Sequence, residues 1–432
     1  MQLICGENAV RSRLLEGGGI GCGCFFFEIA KKDVHLQKYY RPKIDMKCLR
    51  FILTAILLSV SCAVVAQPPH KPHALSEGAF ASLLTVGPGD DYYETFGHTA
   101  LRICDTANDV DVVFNYGSFY FDEKHFYLKF FKGRLNYFVD MQAFENFLFE
   151  YGYYGRAVWE QRLLLDSVEL ESLYKSLLIN AQPENKYYAY DFFRDNCATR
   201  VRDMVEQSLR GRKLLSNTFP AEPNTYRSLI YKYTDSTLLW WRLGLDLLLG
   251  CHCDEVMTTP QYMYVPMEMM TQYDTTRLAT GQTLTESEVQ LLPERRTPRA
   301  KSVSPTLCFW IAFGVVALLT LVARLRRWKL YWLDALLFAA CGIVSLLLMY
   351  LWFCSDHYCC NWNLNLLWAN PIALWMLCRL RRPNYIAALL AALLELAFVV
   401  AAPFLPQAFN SATIPMALML LLRYVDRLVR KN

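Results

Sequence analysis

A cysteine that opens a helix directly after an asparagine is placed to act as a nucleophile. In Asp191-Phe192-Phe193-Arg194-Asp195-Asn196-Cys197-Ala198-Thr199-Arg200, helical spacing starts at Asn196-Cys197 and runs to residue 210. The first amides of a helix lack partners within it and form the positive end of its dipole, so a thiol there ionises more readily. Asp195 or Asn196 can cap this helix, and the same amides can form part of an oxyanion hole. Such a cysteine needs a base. His98, in Gly97-His98-Thr99-Ala100-Leu101-Arg102 at the start of an expected strand, is the best candidate. His70 and His73 fall in an N-terminal tail, His125 in a helix of mixed charge, and His252 in Cys251-His252-Cys253. A third polar group should hold the imidazole. Asn115, at the end of the next strand, is the first choice, with Tyr93, Glu94 and Asp111 as alternatives. The expected catalytic residues are thus Cys197, His98 and Asn115.

The elements that must position these residues form an α+β pattern. Strands are expected at 80–87, 98–104, 110–115, 134–139 and 157–165, the second and third joined by the turn-rich DTAND. Helices are expected at 121–131, 167–181 (with Asp166 as N-cap), 196–210, 223–233 and 236–249. Residues 285–304 read as a linker. The Cys251-His252-Cys253 cluster lacks a second ligand pair at suitable spacing and reads as a local surface feature, so no metal is expected.

Composition places this domain beside a membrane. Of 432 residues, 54% are hydrophobic and only 19% charged, against about 25% charged in soluble chains. The net charge of +4 implies no phosphate-backbone partner and no nucleic-acid function. Residues 46–66 have a short basic stretch, an apolar run and small residues before Gln67, the pattern of a signal peptide. Residues 1–45 ahead of it read as translated upstream sequence. The exported domain is expected at 67–284, and a membrane domain at 305–432. The latter holds five apolar stretches, 306–323, 330–353, 364–378, 384–404 and 413–423, whose lengths mostly fit a hydrocarbon core of about 30 Å, the third and fifth being short. Arg324, Arg326, Arg327 and Lys329 follow the first. Arg379, Arg381 and Arg382 follow the third, and Arg423, Arg427, Arg430 and Lys431 the fifth. Every other loop is therefore basic and cytoplasmic, which leaves the exported domain on the opposite side. Glu395 inside the fourth stretch calls for a polar partner, and Asn370-Pro371 interrupts the third. Cys354, Cys359 and Cys360 share one exported-side loop, where one disulfide would fit.

A histidine on a strand followed by a cysteine opening a helix after asparagine resembles the circularly permuted papain-like enzymes of the NlpC-type superfamily. FGHTALRI, FNYGSF, the KFFKGRLNY run, VWEQRLLLD and PENKYYAYDFFRDNCATRVRD are together similar to the Lnb N-terminal periplasmic domain family of Bacteroidota. The segment from His357 through NLNLLWANP looks like that family's membrane part. The resemblance implies a permuted papain-like domain followed by a bundle of about five transmembrane helices. It also implies a lipoprotein N-acyltransferase of the inner membrane. Such an enzyme moves an acyl chain from a glycerophospholipid to the N-terminal cysteine amine of a diacylated lipoprotein. By the resemblance, His98 is the base and Cys197 the nucleophile, and no cofactor is implied. Substrate contacts are expected from Asn196 and Arg200 beside the cysteine, and from His357, Asn363 and Asn365 on the exported side of the bundle. The rival readings are a cell-wall cysteine peptidase or amidase and a non-enzymatic assembly or lipid-binding protein. Seventeen Phe and Tyr within 113–154 suit either a lipid-facing surface or a core beneath the sheet.

Overall fold

Strands whose consecutive residues are all apolar or uncharged must be covered on both faces. Leu83 and Leu84 point to opposite sides of the first strand, and both are fully buried. The computed structural model describes residues 74–120, 122–210, 214–215, 224–234, 236–278, 280–382 and 384–430. The expected upstream segment and signal peptide lie outside them.

The first domain contains β1 (Phe80–Val86), β2 (His98–Asp105), β3 (Val110–Ser118), α1 (Phe126–Lys132), β4 (Asn136–Ala143), α2 (Phe144–Tyr153), β5 (Val158–Arg162), α3 (Ser167–Asn180), β6 (Tyr187–Ala189) and α4 (Cys197–Ser208). It continues with β7 (Leu214–Leu215), α5 (Tyr226–Tyr233), α6 (Leu239–Leu248), α7 (Thr259–Tyr262), α8 (Pro266–Thr275), β8 (Arg277–Leu278) and β9 (Val289–Leu292). Among the described residues, seven strands form one antiparallel sheet in the order β6-β4-β3-β2-β1-β5-β9. Helices α3, α4 and α8 cover one face through Leu173, Leu177, Ala198, Val201, Met269 and Tyr273. Phe147 and Tyr151 of α2 cover the other, over Leu84, Val86, Ala100 and Val113.

Several expectations shift. Residues 285–304 are more than a linker, because β9 pairs with β5 at the edge of the sheet. The helix expected at 121–131 begins at Phe126, and the strand expected at 134–139 runs from Asn136 to Ala143. Helix α2 follows that strand without a break, so its five aromatics give no separate helical signal. Its Phe147 and Tyr151 are core, whereas Phe149 and Tyr153 are exposed; the aromatic run thus divides between core and surface.

The bundle contains α9 (Pro305–Leu325), α10 (Tyr331–Cys354), α11 (Ile372–Cys378), α12 (Tyr385–Ala401) and α13 (Thr413–Val429). Three described helical stretches, Pro305–Leu325, Tyr331–Cys354 and Tyr385–Phe404, are long and apolar enough to cross a membrane. The third expected span is a short 3-10 turn, a break at Asn370-Pro371, and then α11. Asn370 satisfies the break itself: Nδ2 donates to the carbonyls of Leu367 and Trp368 (3.3 Å each), and Oδ1 accepts from the Ile372 amide (3.2 Å). Helix α13 runs beyond the apolar stretch, carrying Arg423, Asp426 and Arg427 inside the bundle. Among the described residues no polar partner meets Glu395: both its carboxyl oxygens are buried without a hydrogen bond. Cys354, Cys359 and Cys360 are free thiols.

From Leu75 onward the chain forms one unit, and its two parts meet through a buried polar junction. Arg227 of α5 is 1% exposed. Its guanidinium bonds Asp254 (2.9 Å), Asp246 (3.0 Å) and the carbonyls of Leu249 (3.0 Å) and Gly250 (3.2 Å). From the bundle side, Asn410 donates to Asp246 (2.8 Å) and Gln407 to the Leu249 carbonyl (3.2 Å). The Cys251–Cys253 cluster belongs to this junction and is not a surface feature. Cys253 is buried against the Cys359 carbonyl, and His252 stacks on Tyr358.

Removing one partner of a buried ion pair costs about 3–5 kcal/mol. Arg227→Met is therefore expected to destabilise the detergent-solubilised protein by that order in chemical denaturation. Arg227→Lys, which keeps the charge but not the fork of donors, should fall between the two.

Candidate active site

The site lies where two strands part. The β2–β3 ladder ends at Leu101–Phe114. Beyond it, β2 runs back to His98 paired with Val86 of β1, while β3 runs on to Ser118 paired with Phe138 of β4. The register of β3 shifts between Tyr116 and Ser118, and Gly117 between them adopts φ +92°, a conformation that favours glycine. A sheet that opens in this way has a fork at its end.

Asn115 reaches His98 across the fork, with Oδ1 3.3 Å from Nε2. An amide oxygen only accepts, so Nε2 of the neutral ring carries the proton and Nδ1 the lone pair. His98 is fully buried, and burial holds its pKa well below the usual 6.5, with the Arg156 charge pushing the same way and the Asn115 bond opposing. The alternatives to Asn115 have other partners. The Tyr93 hydroxyl bonds Asp91 (2.6 Å), Glu94 pairs with Arg156 (2.9 Å), and Asp111 forms a fork with Arg102 (2.7 and 2.8 Å).

Cys197 occupies the first turn of α4. Asn196 Oδ1 accepts from the Thr199 amide (2.9 Å) and Thr199 Oγ1 accepts from the Asn196 amide (2.8 Å), a reciprocal cap. This fixes the helix start and leaves the Cys197 and Ala198 amides ahead of the intrahelical ladder. The thiol is 5% exposed and packs over Gly117, where an added Cβ would lie 3.6 Å from Cys197 Cβ. By strand alternation, His98 and Asn115 share the sheet face of Ala100 and Val113, which α2 covers. Cys197 belongs to the core on the other face. The fork is where the two faces communicate.

Tyrosines line the rest. The Tyr151 ring stacks on His98 with centroids 6.4 Å apart. Burial raises the phenols of Tyr151, Tyr188 and Tyr190 well above 10, and all three lie within electrostatic reach of Cys197. The hydroxyls of Tyr116, Tyr151 and Tyr188 and the Nδ2 of Asn115 are buried without hydrogen-bond partners. Unused donors around a sulfur nucleophile suit an oxyanion. Sequence reasoning missed Gly117 and these tyrosines. The glycine inside FNYGSF is a legible bulge signal; the tyrosines come from three separate segments and carry none.

The expected substrate contacts fare differently. Asn196 uses its remaining donor group to bond the carbonyls of Phe192 and Tyr264 (2.8 Å each), so its side chain is committed to the fold. Arg200 pairs with Asp195 and lies 4.1 Å over the Tyr188 ring, near the fork. His357 is distant in sequence but tied to α1, its Nε2 2.8 Å from the Phe130 carbonyl. Asn363 and Asn365 are not available to a ligand. Both are fully buried, and their amides hold the Asp246 and Leu247 carbonyls at the end of α6 (2.8–3.2 Å). The surface nearest His357 is instead α1, which exposes Tyr127, Leu128, Phe130 and Phe131. Arg134 pairs with Asp356 (2.5 Å), joining this aromatic patch to the end of α10.

Comparison with known proteins follows this division of the chain. Residues 75–232 match the Lnb N-terminal periplasmic domain and residues 297–431 the Lnb transmembrane domain. No curated protein and no solved structure matches the chain. A sheet domain carrying the cysteine and histidine is thus joined to a transmembrane bundle, and the chain belongs to the Lnb family as a membrane protein with a periplasmic domain.

Proposed function

We propose that this protein is a lipoprotein N-acyltransferase of the inner membrane, with a glycerophospholipid as donor and a diacylated lipoprotein as acceptor. The observation that supports the reading is the His98–Asn115 hydrogen bond at the end of a sheet whose Gly117 lies beside the helix-opening Cys197, in a domain fused to a transmembrane bundle. His98 Nδ1 takes the thiol proton of Cys197. The thiolate attacks the ester carbonyl, and the oxyanion draws on the amides at the start of α4 and the buried tyrosine hydroxyls. The C–O bond breaks, and the lysophospholipid oxygen leaves with the proton from His98. The acceptor's α-amino group, with a pKa near 8, then attacks the thioester carbonyl. His98 accepts the amine's proton and returns it to sulfur as the amide forms. The aromatic lining limits water, which favours aminolysis over hydrolysis.

Cells deleted for the gene should accumulate diacylated lipoproteins, read by mass spectrometry of lipoprotein N-terminal peptides. Wild type should restore the third acyl chain and Cys197→Ala should not. Restoration by Cys197→Ala would exclude the peptidase reading as well and leave a non-enzymatic role. In purified protein supplied with donor alone, hydroxylamine should release one acyl chain from wild type and none from Cys197→Ala.

Because burial keeps His98 neutral, its protonation should not limit the rate near neutrality. The acid limb of the pH–rate profile is expected below pH 6.5, the ordinary value. Asn115→Ala should lower kcat by about 10²-fold through loss of ring orientation. It also removes a bond favouring the charged ring, so it should move the acid limb lower, not higher. An acid limb that rises to pH 7 in this variant would contradict the assignment.

A further inference from the structure

The start of α10, the end of α13 and the loops that follow α9 and α11 enclose a recess of about 90 Å³, at the end of the bundle away from the periplasmic domain. Lys329, Arg381, Arg423, Arg427 and Arg430 line it, against only two carboxylates, Asp334 and Asp426. Those carboxylates are already saturated. Asp334 accepts from Arg423 (2.7 Å) and Arg427 (2.9 Å). Asp426 accepts from Arg324 (2.8 Å), Arg430 (2.8 Å) and Arg423 (3.1 Å). Donors remain over. Arg427 is 7% exposed, yet its Nε is buried with no hydrogen-bond partner, and so is Nη2 of Arg430. Lys329 and Arg381 are exposed at the rim and have no ion pair among the described residues. Charged donors left unpaired beside a cavity are costly unless an anion fills it.

We propose that this recess binds a phosphate-type oxyanion on the membrane face opposite the periplasmic domain. A tetrahedral oxyanion offers several acceptors at once, enough to meet Arg427 Nε and Arg430 Nη2 from inside and Lys329 and Arg381 from the rim. The anion comes either from an anionic phospholipid headgroup or from free phosphate; basic pockets between transmembrane helices recruit such lipids. The site is far from Cys197 and independent of the acyl-transfer chemistry. It anchors the bundle ends where three basic loops would otherwise repel one another.

The test uses full-length protein in detergent, with inorganic phosphate, short-chain phosphatidylglycerol and short-chain diacylglycerol as probes. Binding is read by thermal shift and by native mass spectrometry. Saturable stabilisation by inorganic phosphate assigns a free-anion site. Stabilisation by phosphatidylglycerol alone assigns a headgroup site. Lys329→Gln/Arg381→Gln, changed only at exposed unpaired side chains, should weaken either by at least about tenfold. Arg326→Gln, also exposed but outside the recess, should bind as wild type does. The proposal is overturned if neither phosphate probe binds wild type. It is equally overturned if diacylglycerol binds as well as phosphatidylglycerol, or if the double variant keeps wild-type affinity.

Discussion

A guanidinium cannot be sealed from water without acceptors for its donors, and Arg227 has that demand met from several directions. Asp246, Asp254 and two backbone carbonyls take its protons. The acceptors are themselves held by Asn410 and Gln407 from the bundle. Asn363 and Asn365 add bonds to the neighbouring α6 carbonyls. The periplasmic domain and the bundle therefore share one polar network in place of a flexible joint. Loss of any member exposes the others to an unpaid desolvation penalty. The fixed position of α5 and α6 against the bundle follows from it.

The fork at the end of the sheet depends on a different constraint. Two strands that stay paired would seal His98 behind their ladder. The register shift at Gly117 sends β3 toward β4 while β2 remains with β1. The opening leaves the helix start on one face, beside Gly117, next to the end of the strand pair that carries His98 and Asn115 on the other. The reciprocal Asn196–Thr199 cap fixes where that helix begins, and hence the height of Cys197 over the gap.

Much of this was legible in the sequence because it rests on local signals. The N-cap asparagine before Cys197 and the strand start at His98 are local in sequence, and the structure has both. Asn115 needed one long-range guess, a diagonal neighbour across a hairpin, which the hydrogen bond to His98 supports. What was not legible was tertiary. Asn363 and Asn365 looked like exposed polar residues near a lipid surface, because nothing local records that α6 ends on them. Residues 285–304 looked like a linker because a four-residue edge strand has little periodicity. The third span looked continuous in hydropathy, although Asn370-Pro371 breaks it and the asparagine heals the break with its own side chain.

Gly250 carries a consequence for how turnover can proceed. A Cβ added there would stand 1.9 Å from the Asn361 carbonyl oxygen, so backbone meets backbone at the junction. Its amide also donates to the Cys359 carbonyl at 2.8 Å. Backbones joined this closely leave no room for a side chain between the two parts at this point. On the proposed reaction, the lysolipid leaves and the acceptor arrives at one site whose position relative to the bundle is set by this junction. The enzyme would select its substrates by how far their reactive groups rise out of the bilayer.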